Sequence, residues 1–186
     1  MIFYSDEIIN NIIDNVDVST MIDEIEQFMH NVRYVITRYS IYSISPKYSN
    51  AAISNSNNVI AFYCFDNEFE LTNCPSMMIY HRYYDTTTQE IIYYVLFTCT
   101  KNGYRNMGYA SKLFDGLKER ITKENATKKK GRRAKMVLSS VETAVLFYEN
   151  YGFRWTRESL DKHPALMQYE TYDPSKEYFI MEYYVE

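Results

Sequence analysis

Nine consecutive residues, IIYYVLFTC from Ile91 to Cys99, are apolar along both alternating faces. A strand that offers water neither face belongs inside a sheet covered on both sides. The following loop holds two of the chain's five glycines, Gly103 and Gly108. Beyond it, Ala110, Leu113, Phe114, Leu117 and Ile121 recur at steps of three and four, the stripe of an amphipathic helix. A buried strand, a glycine loop and a helix in that order define an α/β or α+β unit. They also make an anion site. A helix start leaves up to four N–H groups without intrahelical partners, adds partial positive charge and receives phosphate readily. Gly108 lets a ligand approach the backbone, Arg105 supplies a planar cation and Ser111 a hydroxyl. The P-loop pattern fails, because Tyr109 and Ala110 occupy its Lys and Ser/Thr positions, and a Rossmann G-x-G-x-x-G is absent.

The rest of the chain surrounds this unit. Ile8, Ile9, Ile12, Ile13 and Val16 predict one helix; Ile22, Ile25, Phe28, Met29 and Val32 predict a second, starting near Ser19 or Thr20 and placing His30 near a helix end. The polar run from Pro46 to Asn58 reads as a loop, since its Ser and Asn side chains compete for backbone hydrogen bonds. Val59–Phe65 and Met77–Tyr84 read as strands ahead of Ile91–Cys99. A charged segment, Lys123 to Lys135, precedes a short strand at Lys135–Leu138. Ala144, Phe147, Tyr148 and Tyr151 mark another helix ended by Gly152, and Phe153–Thr156 and Tyr178–Val185 are late strands. The expected architecture is one domain, residues 1–186, with helices flanking a mixed sheet.

Two segments then match a known pattern. Arg105-Asn106-Met107-Gly108-Tyr109-Ala110 resembles the [RQ]-x-x-G-x-[GA] motif of the GNAT superfamily of N-acetyltransferases. Ala144 to Phe153, AVLFYENYGF, resembles that superfamily's A-x-x-[FL]-Y-E-x-x-G-F helix and turn. The resemblance covers roughly Ile91 to Thr156. It implies a mostly antiparallel central sheet with splayed central strands, and acetyl-CoA or another acyl-CoA as cofactor. By the same carry-over, the amides from Asn106 to Ser111 hold the pyrophosphate, with Arg105 beside them. Thr98, Cys99 and Thr100 line the thioester, Ala144 and Phe147 complete the cofactor site, and Tyr148 is the general acid that protonates the departing thiolate. The implied reaction is direct attack by a primary amine in a ternary complex. Three departures stand out: Val141 replaces a frequent Asn, Ala110 replaces a second loop Gly, and Tyr94 sits where some protein-acetylating members carry a glutamate base.

Two other classes compete with that reading. One is a non-catalytic CoA-binding or protein-interaction module on the same scaffold, supported by Val141. The other is a nucleic-acid binder led by the basic run from Lys128 to Arg133. The net charge of −4 gives no global case for nucleic acid, and a like-charge run is commonly a solvated one. Neither His81 with Arg82, Tyr83 and Asp85, nor Glu158, Asp161 and His163, has metal-ligand spacing; each group is a candidate base only if a pocket receives it. Three cysteines, Cys64, Cys74 and Cys99, read as reduced thiols, with Cys99 buried in its strand. Asp6 and Glu7 interrupt the start before any signal-peptide pattern, and no apolar run approaches bilayer length, so a cytoplasmic location without membrane contact is expected. The acceptor amine is not legible, and a homodimer is left open.

Overall fold

A computed structural model describes residues 1–40, 45–126, 133–169, 175 and 177–186. Seven strands hydrogen-bond in the order β1-β2-β3-β4-β5-β7-β6: β1 (Ile2–Tyr4), β2 (Asn58–Tyr63), β3 (Ser76–Tyr84), β4 (Ile91–Thr100), β5 (Ala134–Ser140), β6 (Arg154–Trp155) and β7 (Phe179–Val185). Strands β4 and β5 run parallel, while β1·β2, β5·β7 and β6·β7 are antiparallel. The helices are α1 (Ser5–Asn15), α2 (Val18–Ser40), α3 (Pro46–Ser54), α4 (Tyr109–Ala126), α5 (Val145–Tyr151) and α6 (Pro164–Met167). By contact density the chain forms two compact units, through both of which β3, β4 and α4 run: Met1–Ile79 with Thr98–Phe114, and Tyr80–Phe97 with Asp115–Glu186.

In the first unit, α1 and α2 pack on β2. Val32 and Ile36 of α2 are fully buried, and Phe28, Phe62 and Phe69 meet edge to face at 5.2 to 6.3 Å. Ile22, on the expected stripe, is 61% exposed, so the stripe reaches the core only from its later turns. Two expectations change here. The polar run from Pro46 is helix α3 over its first nine residues, not a loop. Proline suits a first helical turn, and Ala52 and Ile53 are buried; tertiary burial outweighs the weak propensity of Ser and Asn. His30 lies in mid-α2, because the helix continues to Ser40.

A third correction concerns the cysteines. Cys64 and Cys74 are joined in a disulfide rather than held as thiols, with Cα atoms 4.1 Å apart. Cys64 follows β2 and Cys74 precedes β3; between them Phe65 N–H reaches Asn73 C=O at 3.2 Å, closing the intervening loop so that the two meet. Cys99 remains a buried free thiol.

In the second unit, the β4·β5 ladder runs from Ile91↔Ala134 to Val95↔Leu138, and β7 covers all of β5. Lys135 lies between Glu182 (3.1 Å) and Glu90 (3.4 Å), so its charge is paired where it is largely buried. Leu117 and Ile121 of α4 are fully buried, and Tyr151 of α5 donates to Asp115 at 2.8 Å. Gly152 ends α5 at φ 112°, and its N–H reaches the carbonyls of Tyr148 and Glu149.

Candidate functional site

Strand β4 carries one residue more than its partner. Asp85 N–H reaches Glu90 C=O at the hairpin (2.9 Å), and Lys101 N–H reaches Pro75 C=O at the other end (2.8 Å). Eleven steps from Glu90 to Lys101 thus face ten from Asp85 to Pro75. The extra residue is a bulge, a device that re-aims backbone groups. Its effect is visible in direction: Ile91 N–H turns to Arg133 beside β5, whereas Lys101 N–H, of the same parity, turns to β3. The backbone of Thr100 therefore faces away from β3, and its carbonyl accepts Arg105 Nε at 3.4 Å. Cys99 faces β3, where its carbonyl accepts Ser76 Oγ at 3.1 Å; Ser76 Oγ also meets Thr100 Oγ1 at 2.9 Å. Thr98 Oγ1 is buried and has no hydrogen-bond partner among the described residues.

The loop from Lys101 to Gly108 uses three left-handed residues: Gly103 (φ 89°), Asn106 (φ 63°) and Gly108 (φ 79°). Asn tolerates that region better than most side chains. The first α4 amide with a carbonyl partner is that of Lys112, on Gly108 C=O at 3.1 Å. The amides of Gly108, Tyr109, Ala110 and Ser111 precede it, and among the described residues they donate to nothing. A Cβ placed on Gly108 would meet no atom within 4 Å, so the space beside Gly108 is open. Arg105, Asn106 and Met107 are exposed around that space. This donor set suits a diphosphate, and the buried, unpartnered Thr98 hydroxyl suits a polar arm extending from it. The residues therefore fit an acyl-CoA.

Cys99 is chemically quiet. Burial pushes its thiol up to about 12, against the opposing charge of Arg105, so almost no thiolate forms at neutral pH.

In the second unit, Ala144 ends a short 3₁₀ turn that leads into α5. Phe147 is 37% exposed, and Tyr148 is partly exposed beside Phe147 (5.1 Å) and Phe153 (5.7 Å). Burial of the Tyr148 hydroxyl pushes it up to about 12, so it stays protonated across the physiological range. Val141 is 64% exposed; with Ser139, Ser140 and Tyr178 it borders a hollow of 470 Å³.

Of the other candidates, His163 is joined by two groups. Its Nε2 lies 3.1 Å from Glu158 Oε2 and its Nδ1 3.4 Å from the Tyr94 hydroxyl. His163 and Tyr94 are both buried, and burial lowers the imidazole below its ordinary value although Glu158 opposes this. Burial also pushes Tyr94 up to about 12. His81 is half-buried in β3 and lowered by that burial, and Asp85 is held low by the Thr87 N–H in its turn. Among the described residues no group of three His, Cys, Asp or Glu side chains could hold a metal. The basic run from Lys128 lies outside the described residues except for Arg133, which lies over the Tyr184 ring at 4.3 Å.

Sequence reasoning missed Tyr63 and Phe65. They stand at the end of β2, yet their rings meet Tyr109 at 5.1 and 5.6 Å. No local period links residues that far apart along the chain.

The fold, unlike the sequence, has known counterparts. No family model matches the sequence, and no curated protein does. Among solved structures, Tetrahymena GCN5 superposes with a TM-score of 0.57 at 11% identity, over 87% of this chain and 88% of that one. A protein from Lactobacillus plantarum provisionally assigned as an N-acetyltransferase gives 0.60 at 15%, over 100% and 98%. Arabidopsis thaliana NAA60, solved with acetyl-CoA, gives 0.54 at 12%, over 84% and 93%. The chain has the fold of the GNAT superfamily of acetyltransferases. No helix among the described residues is long and apolar enough to cross a membrane.

Proposed function

We propose that this chain is an acyl-CoA-dependent N-acetyltransferase that moves acetyl from acetyl-CoA to a primary amine. The observation that carries this reading is the row of bare amides from Gly108 to Ser111, with open space beside Gly108. Bound acetyl-CoA would supply an acyl group activated as a thioester. The amides and Arg105 hold its diphosphate by charge-assisted hydrogen bonds. Thr98 and Thr100 offer the thioester arm a hydroxyl and a backbone group turned away from β3. An N–H there polarises the acyl carbonyl, the usual site of electrostatic help in acyl transfer. Cys99 contributes wall rather than nucleophile, which favours direct attack by the amine. Tyr148 keeps a proton on its hydroxyl for the departing sulfur. Alignment of the two reactants supplies much of the remaining rate.

Calorimetric titration with acetyl-CoA, followed by thiol-release assays over a panel of small and peptidyl amines, tests the reading. Saturable binding with thiol release on at least one amine is the expected result; absence of binding ends it. Binding without release across the panel would instead favour a non-catalytic CoA-binding module, the reading that exposed Val141 supports.

A further inference from the structure

The Cys64–Cys74 bond lies at the root of the glycine loop. Both cysteines are fully buried, and the residues next to them hold that loop at its two ends. Beyond Cys64, the ring of Phe65 meets Tyr104 at 5.5 Å and Tyr109 at 5.6 Å. Before Cys64, the ring of Tyr63 stacks on Tyr109 at 5.1 Å. Beyond Cys74, Pro75 C=O accepts Lys101 N–H at 2.8 Å, where the loop begins. Ser76 Oγ then donates to Cys99 C=O at 3.1 Å. The loop is thus strapped at its start through the neighbours of Cys74 and at its end through those of Cys64. With Gly103 and Gly108 in the left-handed region, it has little stiffness of its own.

Both redox states of the pair have a place in the structure. Bonds that do not involve sulfur keep the flanking strands in position: Cys64 N–H reaches Met1 C=O at 2.9 Å, and the Tyr39 hydroxyl donates to Cys74 C=O at 3.1 Å. Cys74 Sγ lies 3.2 Å from Glu70 C=O. A disulfide sulfur has no proton to give that carbonyl, whereas a thiol has. The thiol form therefore keeps the fold, with Cys74 turned to Glu70. Two unbonded sulfurs cannot stay as close as bonded ones, and a close-packed interior has no slack to hide the difference. Reduction thus moves the two straps apart, and the glycine loop with its bare amides follows them. A reductant reaches the sulfurs when the intervening loop opens. Residues 65–68 of that loop are exposed, and such segments open at far lower cost than the core.

We propose that Cys64–Cys74 is a thiol–disulfide exchange site for a dithiol reductant, and that its state sets how tightly the glycine loop holds acyl-CoA. The inference rests on the cofactor reading above. A thiolate of the dithiol attacks one sulfur, forms a mixed disulfide and expels the other cysteine as a thiolate, which takes up a proton. The second thiol of the reductant then attacks the mixed disulfide and releases the remaining cysteine. The protein gains two electrons and two protons, and the dithiol leaves as a disulfide. The disulfide form is the tight-binding one, because only the bond holds both straps at the spacing that presents the amides of Gly108 to Ser111. A cross-link that merely raised stability would leave the affinity of the folded protein the same in both states.

The test uses desulfo-CoA, which has no sulfur to exchange, and reads affinity rather than turnover. The protein is oxidised with the disulfide of dithiothreitol or reduced with dithiothreitol, desalted without air, checked by thiol counting and circular dichroism, and titrated calorimetrically. The disulfide form should bind about tenfold more tightly than the folded thiol form. Cys64→Ala with Cys74→Ala should bind like the thiol form and ignore dithiothreitol. Coupling is reciprocal, so saturating desulfo-CoA should make the native bond harder to reduce, lowering its midpoint in dithiothreitol buffers by about 30 mV for that tenfold ratio. Equal affinity of the two native forms, or a midpoint that the ligand does not move, would overturn the switch and leave the cofactor reading standing. So would a bond that fails to form, or a thiol form that unfolds and so makes the bond only a staple. Failure of both forms to bind desulfo-CoA would overturn both readings.

Discussion

A buried hydroxyl without a partner carries a desolvation penalty of about 1–3 kcal/mol. Thr98 Oγ1 is such a group, so Thr98→Val, which keeps the branched shape, should raise the melting temperature of the ligand-free protein. If the hydroxyl serves the thioester arm, the same change should weaken acetyl-CoA binding. A stabilised variant with native affinity would show that the hydroxyl is merely tolerated. Tyr148 poses a different question. A phenol pushed up to about 12 holds its proton at neutral pH, as the proposed acid must. Tyr148→Phe should therefore lower turnover by about 10²-fold and leave acetyl-CoA affinity near native in a titration. Unchanged turnover would reduce Tyr148 to a packing residue beside Phe153. Both positions were legible beforehand only through motif spacing; the orphan state of Thr98 depends on what surrounds it in three dimensions.

Two helix ends carry glycines in the left-handed region with unlike surroundings. Gly108 precedes α4 at φ 79° with open space over its Cβ position. Gly152 follows α5 at φ 112°, where a Cβ would lie 3.2 Å from Tyr183 Cε2. Gly108→Ala should cost roughly 1–2 kcal/mol of backbone strain, yet strongly weaken acetyl-CoA binding because its methyl enters the phosphate space. Gly152→Ala should lose more stability, since crowding of Tyr183 adds to the strain. Urea unfolding and titration of both variants check this contrast; the reverse ranking in stability would refute it. The disulfide belongs to the loop between β2 and β3. Cys64 and Cys74 are ten residues apart, and opening a loop of that size costs about 2.7 kcal/mol in the chain-entropy treatment. Melting with and without reductant should show a clear drop, and identical curves would count against the cross-link. Helix α3 teaches the same lesson as the cysteines. Its Ser- and Asn-rich sequence argues for a loop, but burial of Ala52 and Ile53 supplies what propensity lacks.

The fold also sets a dependence of stability on pH. His163 is buried against Glu158 and Tyr94, with Lys135 and Glu182 also acting on it, and burial holds its folded-state value below the ordinary 6.5. The unfolded imidazole therefore takes up a proton at higher pH than the folded one. Stability from the neutral imidazole is present above about pH 6.5 and is lost as pH falls through and below that value. Melting temperature should decline between pH 7.5 and 5.5, and His163→Gln should flatten that decline. A His163→Gln profile parallel to the native one would assign the loss to other groups. By itself, the sequence determined the buried β4, the amphipathic α4 and the loop between them, because strand and helix periods are carried by neighbours in the chain. Only the tertiary structure decided the Cys64–Cys74 bond, the rings of Tyr63 and Phe65 against Tyr109, and the contact of Tyr94 with His163, 69 residues away. Those pairings arise from sheet register and packing between distant segments, which no local repeat of hydrophobicity encodes.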